Sequence, residues 1–281
     1  MPQEKLKDLL PPRPVDMHKG FRGRLLIAGG SLRYPGAPAL SALGALRSGA
    51  GVVTLLSLQN VCELCASRLP EVIHCAEDDV FRWKDTALAQ KNINAVVIGP
   101  GLDRSIAAEI FTSQMWREWP EKILVDGDGL NALAVTKDDL RARTDSVLTP
   151  HEAEAGRLLG IPPAAVHGDR GGAVRELSER WGCVVLKGHN TLIASGDRFA
   201  EVKHGGPELA VPGSGDVLSG CIGAFLAMGL DAFDAAVLGA NIHGLAGELL
   251  SRLGVDGVLA SEIAHALRKV IQEIRAGNIN A

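Results

Sequence analysis

The sequence predicts a three-layer α/β/α domain built on a mostly parallel central sheet. Short β-branched segments alternate with helical segments along most of the chain, which is typical of right-handed βαβ units. Several of the early segments are apolar at every position, as in strands that are buried on both faces of a sheet. After residue 212 apolar residues recur at helical spacing, so helices dominate the C-terminal part. We expect one such domain over residues 1–281.

The predicted strands are short runs rich in valine, isoleucine and leucine. In chain order they span 24–30, 51–58, 71–76, 95–101, 122–128, 146–150 and 183–188. Two further runs, 190–197 and 198–203, predict a hairpin that is closed near Gly196 and Asp197. Helical patterns lie between the strands, for example at 37–49, 152–160 and 173–182.

Composition and charge restrict the class of protein. The chain is 46% hydrophobic and 22% charged, so it can bury a sizeable core. A net charge of -4 provides no broad positive field, which argues against nucleic acid or an anionic membrane as the main partner. The sequence has no apolar run of about 18 residues, and its first residues do not resemble a secretory signal. We therefore expect a cytoplasmic enzyme.

The five cysteines fit a reducing compartment, because an odd number does not make a disulfide framework. Cys62 and Cys65 form a C-x-x-C pair, but no second pair or neighbouring histidine accompanies them. This pair predicts one turn of an ordinary helix rather than a metal site.

Loops that join small residues to polar or charged ones follow the predicted strands. They read GGS, GPG, DGDG, TPHE and KGHNT in chain order. In an open parallel sheet, ligands bind beyond the carboxyl ends of the strands. The sequence therefore predicts a ligand site at this edge of the sheet.

The motif with the clearest chemistry is Gly213-Ser214-Gly215-Asp216, which directly precedes a predicted helix. Glycines let the backbone turn tightly, and the helix start adds unpaired N–H groups and the positive end of the helix dipole. Such a turn can hold a phosphate under transfer, and Asp216 could accept the proton of an attacking hydroxyl. Alternatively, Asp216 is only a helix cap. The other sheet-edge loops favour the catalytic interpretation.

These features resemble the ribokinase-like superfamily, in which a Gly-rich loop ending in aspartate opens a C-terminal helix. Within it the sequence is most similar to the NAD(P)H-hydrate dehydratases. The matching segments occur in the family's order and cover most of residues 13–247. They are 13–31, 34–53, 97–102, 125–134, 148–160, 184–193 and 212–220.

The resemblance implies metabolite repair. Enzymes of this family phosphorylate the ring hydroxyl of the S-epimer of hydrated NADH or NADPH, from ADP in bacteria or ATP in eukaryotes. Phosphate then leaves and the reduced cofactor is restored. We expect ADP as the donor, and we leave open the preference for NADH hydrate or NADPH hydrate.

The resemblance also implies roles for individual residues. Asp216 would be the catalytic base, and Mg²⁺ would lie near Glu154, which contacts it through water. The hydrated cofactor would contact Ala37, Gly101, His151 and Asp216. The nucleotide would contact Lys187, Gly188, His189, Asn190, Thr191, Gly213, Ser214 and Gly215. His18, Lys19 and Gly20 belong to the matching segments without a defined role.

The sequence departs from the family pattern in two loops. Pro212 replaces the first glycine of the phosphate loop, which either weakens the anion pocket by removing one N–H or stiffens its start. Asp126 to Asn131 read DGDGLN where DADALN is commoner, which loosens the start of a helix. The companion epimerase domain often fused ahead of this one is not recognisable in the sequence, so we expect dehydration only, beside a separate epimerase. The resemblance further implies a homo-oligomer, with a tetramer as one form.

Other interpretations remain open at this point. Gly127, Gly129 and Ala132 superficially match a dinucleotide-binding fingerprint, but Asp126 and Asp128 would repel a pyrophosphate. A small-molecule kinase of the same fold, acting on hydroxyethylthiazole or hydroxymethylpyrimidine, would share the GSGD loop. A nucleotide sensor without turnover is a third hypothesis, and Pro212 is its support.

Overall fold

A central sheet of nine strands organises the computed structural model, which describes residues 6–14, 22–136, 140, 142–252 and 254–279. The order within these residues is β3-β2-β1-β4-β5-β6-β7-β8-β9. Strands β1 to β7 pair in parallel, whereas β8 and β9 pair antiparallel. The strands are β1 (Arg24–Ala28), β2 (Val52–Ser57), β3 (Ile73–Ala76), β4 (Ala95–Ile98), β5 (Lys122–Val125), β6 (Ser146–Leu148), β7 (Cys183–Leu186), β8 (Thr191–Ser195) and β9 (Arg198–Val202).

Helices cover both faces of this sheet. They are α1 (Leu6–Leu9), α2 (Ala37–Ser48), α3 (Gln59–Ala66), α4 (Trp83–Leu88), α5 (Ile106–Glu118), α6 (Asp128–Thr136), α7 (Glu152–Leu159), α8 (Pro163–Gly168), α9 (Arg170–Trp181), α10 (Ser214–Ala227), α11 (Ala232–Ser251) and α12 (Ala260–Ala276). Among the described helices, none combines the length and apolar character that a membrane span needs.

Successive residues of each strand point into two separate cores, as the period of a strand requires. In β1, Leu25 and Ile27 belong to the core that includes residues of α2, α10, α11 and α12, whereas Leu26 and Ala28 belong to the core that includes residues of α5, α6, α7 and α9. All four side chains are fully buried. The predicted three-layer α/β/α architecture is confirmed.

The predicted strands are all present, and each is shorter than predicted. After β1, β4, β5 and β7 the reason is that the glycine-containing loops leave the sheet. The hairpin is confirmed, with its turn at Gly196 and Asp197 between β8 and β9. Helix α9 begins three residues before the predicted 173, because the Asp169 side chain caps it by accepting a hydrogen bond from Gly172 N at 2.8 Å. Cys62 and Cys65 lie on α3 as buried free thiols.

Helices α2 and α10 pack backbone against backbone. A Cβ atom at Gly220 would lie 1.8 Å from Ser41 O, and one at Gly44 would lie 2.4 Å from Val217 O. Only glycine allows this approach, which brings the Ser41 and Ser219 hydroxyls to 3.2 Å. Because α10 carries Asp216 in its first turn, this contact positions the predicted base.

We predict that Gly220→Ala lowers the free energy of unfolding by roughly 2–3 kcal/mol, because its methyl group would overpack the α2–α10 contact. Gly168→Ala is the matched control, since a Cβ at Gly168 would meet no atom within 4 Å. Urea denaturation of both variants measures the difference. Equal stability of the two variants would show that α2 and α10 can move apart at little cost.

Candidate active site

A cavity of about 790 Å³ opens at the carboxyl ends of β1, β4 and β5. The chain order of the strands reverses between β1 and β4, so this is the topological switch point at which open sheets bind ligands. The lining residues come from the loops after β1, β4 and β5 and from the first turns of α2, α6, α7 and α10. They are Arg33, Tyr34, Ala37, Gly101, Asp103, Arg104, Ser105, Gly127, Asp128, Asn131, Glu154 and Asp216.

The loops after β1 and β4 meet at Gly101. This residue has a φ of +65°, and a Cβ there would lie 2.6 Å from Tyr34 O and 2.9 Å from Ala37 Cβ. A side chain at position 101 would therefore push the start of α2 away from the cavity. Ala37 and Gly101, which are predicted to contact the substrate, therefore lie next to each other.

The turn before α10 is well formed despite its proline. Gly213 has φ 87° and ψ −8°, the third position of a type II turn, and Ser214 N donates to Val211 O at 3.2 Å. Pro212 occupies the second position, which favours proline and whose N–H the turn does not use. Of the two effects predicted for Pro212, the geometry supports a stiffened start of the helix.

His243 on α11 contacts this turn at Ser214. Its Nε2 lies 3.2 Å from Ser214 Oγ and 3.1 Å from Ser214 O. Burial lowers the pKa of His243 to about 4, so its imidazole is neutral. His243 is therefore a packing residue that contacts the turn before α10.

A buried ion pair connects the loops after β5 and β7. Asp126 is 2% exposed, and its Oδ1 accepts hydrogen bonds from Lys187 Nζ at 2.9 Å and from Thr149 Oγ1 at 2.7 Å. Lys187 Nζ also lies 3.9 Å from Glu154 Oε2. Burial lowers the pKa of Lys187, but Asp126 and Glu154 outweigh this effect and raise it above its ordinary value. The ammonium is therefore charged and lies inside the site rather than on the surface.

Glu154 and His151 form a capping box at the start of α7. His151 Nδ1 accepts from the backbone N–H of Ala153 and Glu154, and Glu154 Oε2 accepts from His151 N at 2.9 Å. Burial lowers the pKa of His151, and Lys187 and Arg157 add to this effect. His151 is not among the residues that line the cavity, although Glu154 beside it is.

The carboxyl of Asp216 lies in an environment that disfavours its charge. Burial raises the pKa of Asp216 to about 8, with additional repulsion from Asp126, Asp128 and Glu154. The Lys187 ammonium opposes this rise. Burial likewise raises the pKa of Glu154 to about 7. Raised carboxyl pKa values of this kind are typical of acid–base groups in active sites.

The predicted nucleotide loop, residues 187–191, is held by Arg170 at the start of α9. The guanidinium donates to His189 O at 2.6 Å, Asn190 O at 3.2 Å and Leu186 O at 3.3 Å. Glu152 Oε1 lies 3.3 Å from Arg170 Nε. Arg170 therefore fixes the backbone of the loop, a role that the sequence analysis missed because a single arginine on a helix carries no recognisable pattern.

The structure brings Ala37, Gly101, Glu154 and Asp216 together around one cavity. Residues 187–191 lie outside its lining, but the Lys187 ammonium comes within 3.4 Å of the position that a Cβ of Gly215 would take. His18, Lys19 and Gly20 fall outside the described residues. The roles predicted for these residues stay predictions.

Several residues of the cavity were not predicted. Arg33 and Tyr34 follow the GGS loop, and Asp103 and Arg104 follow the GPG loop. Their positions directly after two of the glycine loops could have indicated them.

Both aspartates of the DGDG loop are bonded to groups of the protein, so they do not support the resemblance of this loop to a dinucleotide-binding fingerprint. Asp126 is buried in the ion pair, and Asp128 Oδ2 accepts from Asp103 N at 3.1 Å. Asp128 Oδ1 also lies 3.3 Å from Arg104 Nε and 3.2 Å from Asn131 Nδ2. The interpretation of these aspartates as hydrogen-bonding groups at the sheet edge is confirmed, and Asp128 additionally lines the cavity.

The raised pKa of Asp216 predicts that stability falls as pH rises. In the unfolded chain the carboxyl ionises near pH 4, whereas in the folded chain it stays protonated to about pH 8. The stabilisation is present below pH 4 and is lost as pH rises through 8. As the pH rises from 5 to 9, the free energy of unfolding of Asp216→Asn should therefore increase by roughly 2 kcal/mol relative to that of the wild type, after allowance for solvent screening.

Urea denaturation at several pH values measures this gain. Asp85→Asn is the control, because Asp85 is exposed on the surface with 80% of its side chain accessible. A constant difference between Asp216→Asn and the wild type across this range would contradict the environment described for Asp216.

Comparison with known proteins places this geometry in a family. The family model described as NAD(P)H-hydrate dehydratase matches residues 25–269. The ADP-dependent (S)-NAD(P)H-hydrate dehydratase of Neisseria meningitidis is 40% identical over 265 residues, which cover 91% of this chain and 87% of the relative. The bifunctional NAD(P)H-hydrate repair enzyme of Thermanaerovibrio acidaminovorans is 36% identical over 95% of this chain. The chain spans about half (54%) of that relative's length.

A solved structure agrees with the sequence relatives. The ADP/ATP-dependent NAD(P)H-hydrate dehydratase of Bacillus subtilis, co-crystallised with ATP and Mg²⁺, superposes with a TM-score of 0.83 at 29% identity. The match covers 96% of each chain. The fold is therefore ribokinase-like, and the chain belongs to the NAD(P)H-hydrate dehydratase family.

Proposed function

We propose that this protein dehydrates the S-epimer of hydrated NADH or NADPH, with ADP as the phosphoryl donor. The observation that carries the proposal is the position of Asp216. Its carboxyl lines a cavity large enough for a nicotinamide nucleotide and belongs to the first turn of α10. The ADP-dependent relative from Neisseria meningitidis supports the choice of ADP.

The first step transfers a phosphoryl group to the ring hydroxyl. The hydroxyl oxygen forms a bond to the terminal phosphorus of ADP, the bond from that phosphorus to the bridging oxygen breaks, and AMP leaves. Asp216 receives the hydroxyl proton late in this step, because a hydroxyl is too weak an acid to lose it beforehand. Once ionised, a carboxylate whose pKa is raised to about 8 is a stronger base than an ordinary one, and the positive charge of Lys187 favours the ionised form.

The second step eliminates phosphate. The ring nitrogen donates its electron pair as the C–O bond to phosphate breaks, and loss of a proton from the neighbouring ring carbon restores the dihydronicotinamide. This chemistry needs positioning and charge stabilisation rather than a covalent nucleophile. Gly213 and Gly215 at the start of α10 would hold the phosphoryl group with their backbone N–H groups, whereas the Ser214 N–H donates to Val211 O within the turn. The reaction is then that of a carbon–oxygen lyase.

Mg²⁺ fits this site as an ion that is bound mainly by phosphates. Within the described residues no group of three His, Cys, Asp or Glu side chains could hold a metal ion. Both carboxylate oxygens of Glu154 contact His151, so Glu154 would reach the ion through water. When bound, Mg²⁺ supplies positive charge that neutralises the nucleotide phosphates, and it ordinarily needs few protein ligands.

The kinase alternative is less well supported. A kinase acting on a vitamin precursor alcohol would use the same turn and Asp216, but the family match and the relatives are those of dehydratases. We further propose that the protein acts as a cytoplasmic homo-oligomer beside an epimerase, which supplies the correct epimer. The bifunctional relatives, whose name describes repair of the same substrate, support the partnership with an epimerase.

We predict that the pure protein restores the absorbance of reduced cofactor from hydrated NADH in the presence of ADP and Mg²⁺, and that Asp216→Ala lowers kcat by at least about 10³-fold. Nucleotide binding, measured by calorimetry, should persist in the variant. Phosphorylation of a thiazole or pyrimidine alcohol without recovery of reduced cofactor would establish the kinase instead. Nucleotide binding by a wild type without turnover would establish the sensor.

We predict that Arg170→Met raises the KM for the nucleotide about tenfold with little change in kcat, because the loop carbonyls lose their donors. Glu152→Gln is the matched control, since it removes the ion pair with Arg170 but leaves the guanidinium in place. Steady-state kinetics with varied ADP would test both. An effect of the same size in both variants would show that the loop does not depend on these hydrogen bonds.

A further inference from the structure

We propose that Asp126 is a positioning residue that holds the Lys187 ammonium beside Asp216 and prevents the two from pairing directly. This inference rests on the proposed function, because it takes Asp216 as the proton acceptor. It assigns a task to a buried carboxylate that otherwise belongs to no step of the reaction.

The residues that fix the Lys187 ammonium lie at the ends of three neighbouring parallel strands. Asp126 directly follows β5, Thr149 follows β6 and Lys187 follows β7. The hydroxyl of Thr149 and the ammonium of Lys187 both donate to Asp126 Oδ1, at 2.7 and 2.9 Å. The Lys187 backbone is fixed as well, since its N–H donates to Pro150 O at 2.8 Å. The position of the ammonium is thus set by the register of the sheet.

The ammonium held in this way lies under the first turn of α10. A Cβ at Gly215 would lie 3.4 Å from Lys187 Nζ and 3.9 Å from Asp126 Oδ2. The ion pairs of Lys187 that the structure describes are those with Asp126 and Glu154. Lys187 and Asp216 nevertheless influence each other's charge. The Lys187 ammonium is therefore close to Asp216 without forming an ion pair with it.

Physical chemistry explains why such a hold is needed. A lysine has a flexible four-carbon stem and a compact charge, so a free ammonium would move to the nearest available carboxylate. A direct bond to Asp216 would occupy the oxygen that has to receive the substrate proton. Held by Asp126, the ammonium still stabilises the ionised base and the negative charge of the transferred phosphoryl group.

Charges from four elements act on Asp216. Asp126 after β5, Asp128 on α6 and Glu154 on α7 disfavour its ionisation, whereas Lys187 after β7 favours it. Removing Asp126 and removing Lys187 should therefore shift its titration in opposite directions. A general loosening of the site would not produce opposite shifts.

The test is a titration of the Asp216 carboxyl by ¹³C NMR in protein labelled at aspartate, without ligands. The signal is assigned by its loss in Asp216→Asn. Asp126→Asn should lower the titration midpoint by at least about one pH unit, and Lys187→Met should raise it by at least about one unit. In the double variant the two effects should largely cancel. Shifts in the same direction, or no shift in either variant, would overturn the proposal.

Lys187→Arg keeps the positive charge and is the conservative control, with a midpoint within about half a unit of the wild type. Circular dichroism reports whether each variant folds. If Asp126→Asn does not fold, the two Lys187 variants decide: a midpoint raised in Lys187→Met alone supports the proposal, and an unmoved midpoint overturns it.

Kinetics provide a second measurement. Asp126→Asn should lower kcat about tenfold and change the KM for the nucleotide by less, because Lys187 moves towards Asp216 while Arg170 still holds the rest of the nucleotide loop. A raised KM with unchanged kcat would overturn the proposal. The NMR titration needs no turnover, so a wild type without dehydratase activity would remove the proposed function and leave the result on Asp126 and Lys187 standing.

Discussion

The backbone contact between α2 and α10 is the constraint on which the rest of the site depends. Each helix begins at the cavity, α2 at Ala37 and α10 at Ser214, so the distance between the helices sets the shape of the site. Gly44 and Gly220 bring the two backbones together, and no residue with a Cβ could replace Gly220 without moving one helix. The turn that carries Asp216 therefore has a fixed relation to the loops after β1 and β4.

The packed helices α2 and α10 hold a site in which several carboxyl groups are buried close together, which is electrostatically unfavourable. Asp126, Glu154 and Asp216 surround the ammonium of Lys187, and burial raises the pKa of the last two carboxyls. Carboxyls crowded in this way reduce stability, and they are retained where function needs a proton acceptor near neutral pH. The tight packing of the two helices around the site offsets part of that cost.

Much of the fold follows from local patterns, whereas the site follows only in part. The apolar runs predicted most of the parallel strands, because strands buried on both faces leave a continuous apolar signal, and the turn at Gly196 and Asp197 predicted the hairpin of β8 and β9. Asp216 was predicted because glycines and an aspartate before a helix have a specific chemical meaning. Arg33 and Arg104 were not, because their approach to the cavity depends on loop conformation, including a φ of +71° at Asp103. The hold of Asp126 on Lys187 depends on strand order, which no local pattern encodes.

The position of Lys187 connects the two halves of the site. Its backbone begins the loop that Arg170 holds, and its side chain ends between carboxyls at the cavity. A nucleotide that contacts the loop and a substrate that fills the cavity would then approach Asp216 from different sides of the first turn of α10. Any movement of the loop would also move the cation that stabilises the ionised base. Asp126 holds that cation from the end of β5, with β6 between the two strands, and so limits such movement while ligands exchange on either side.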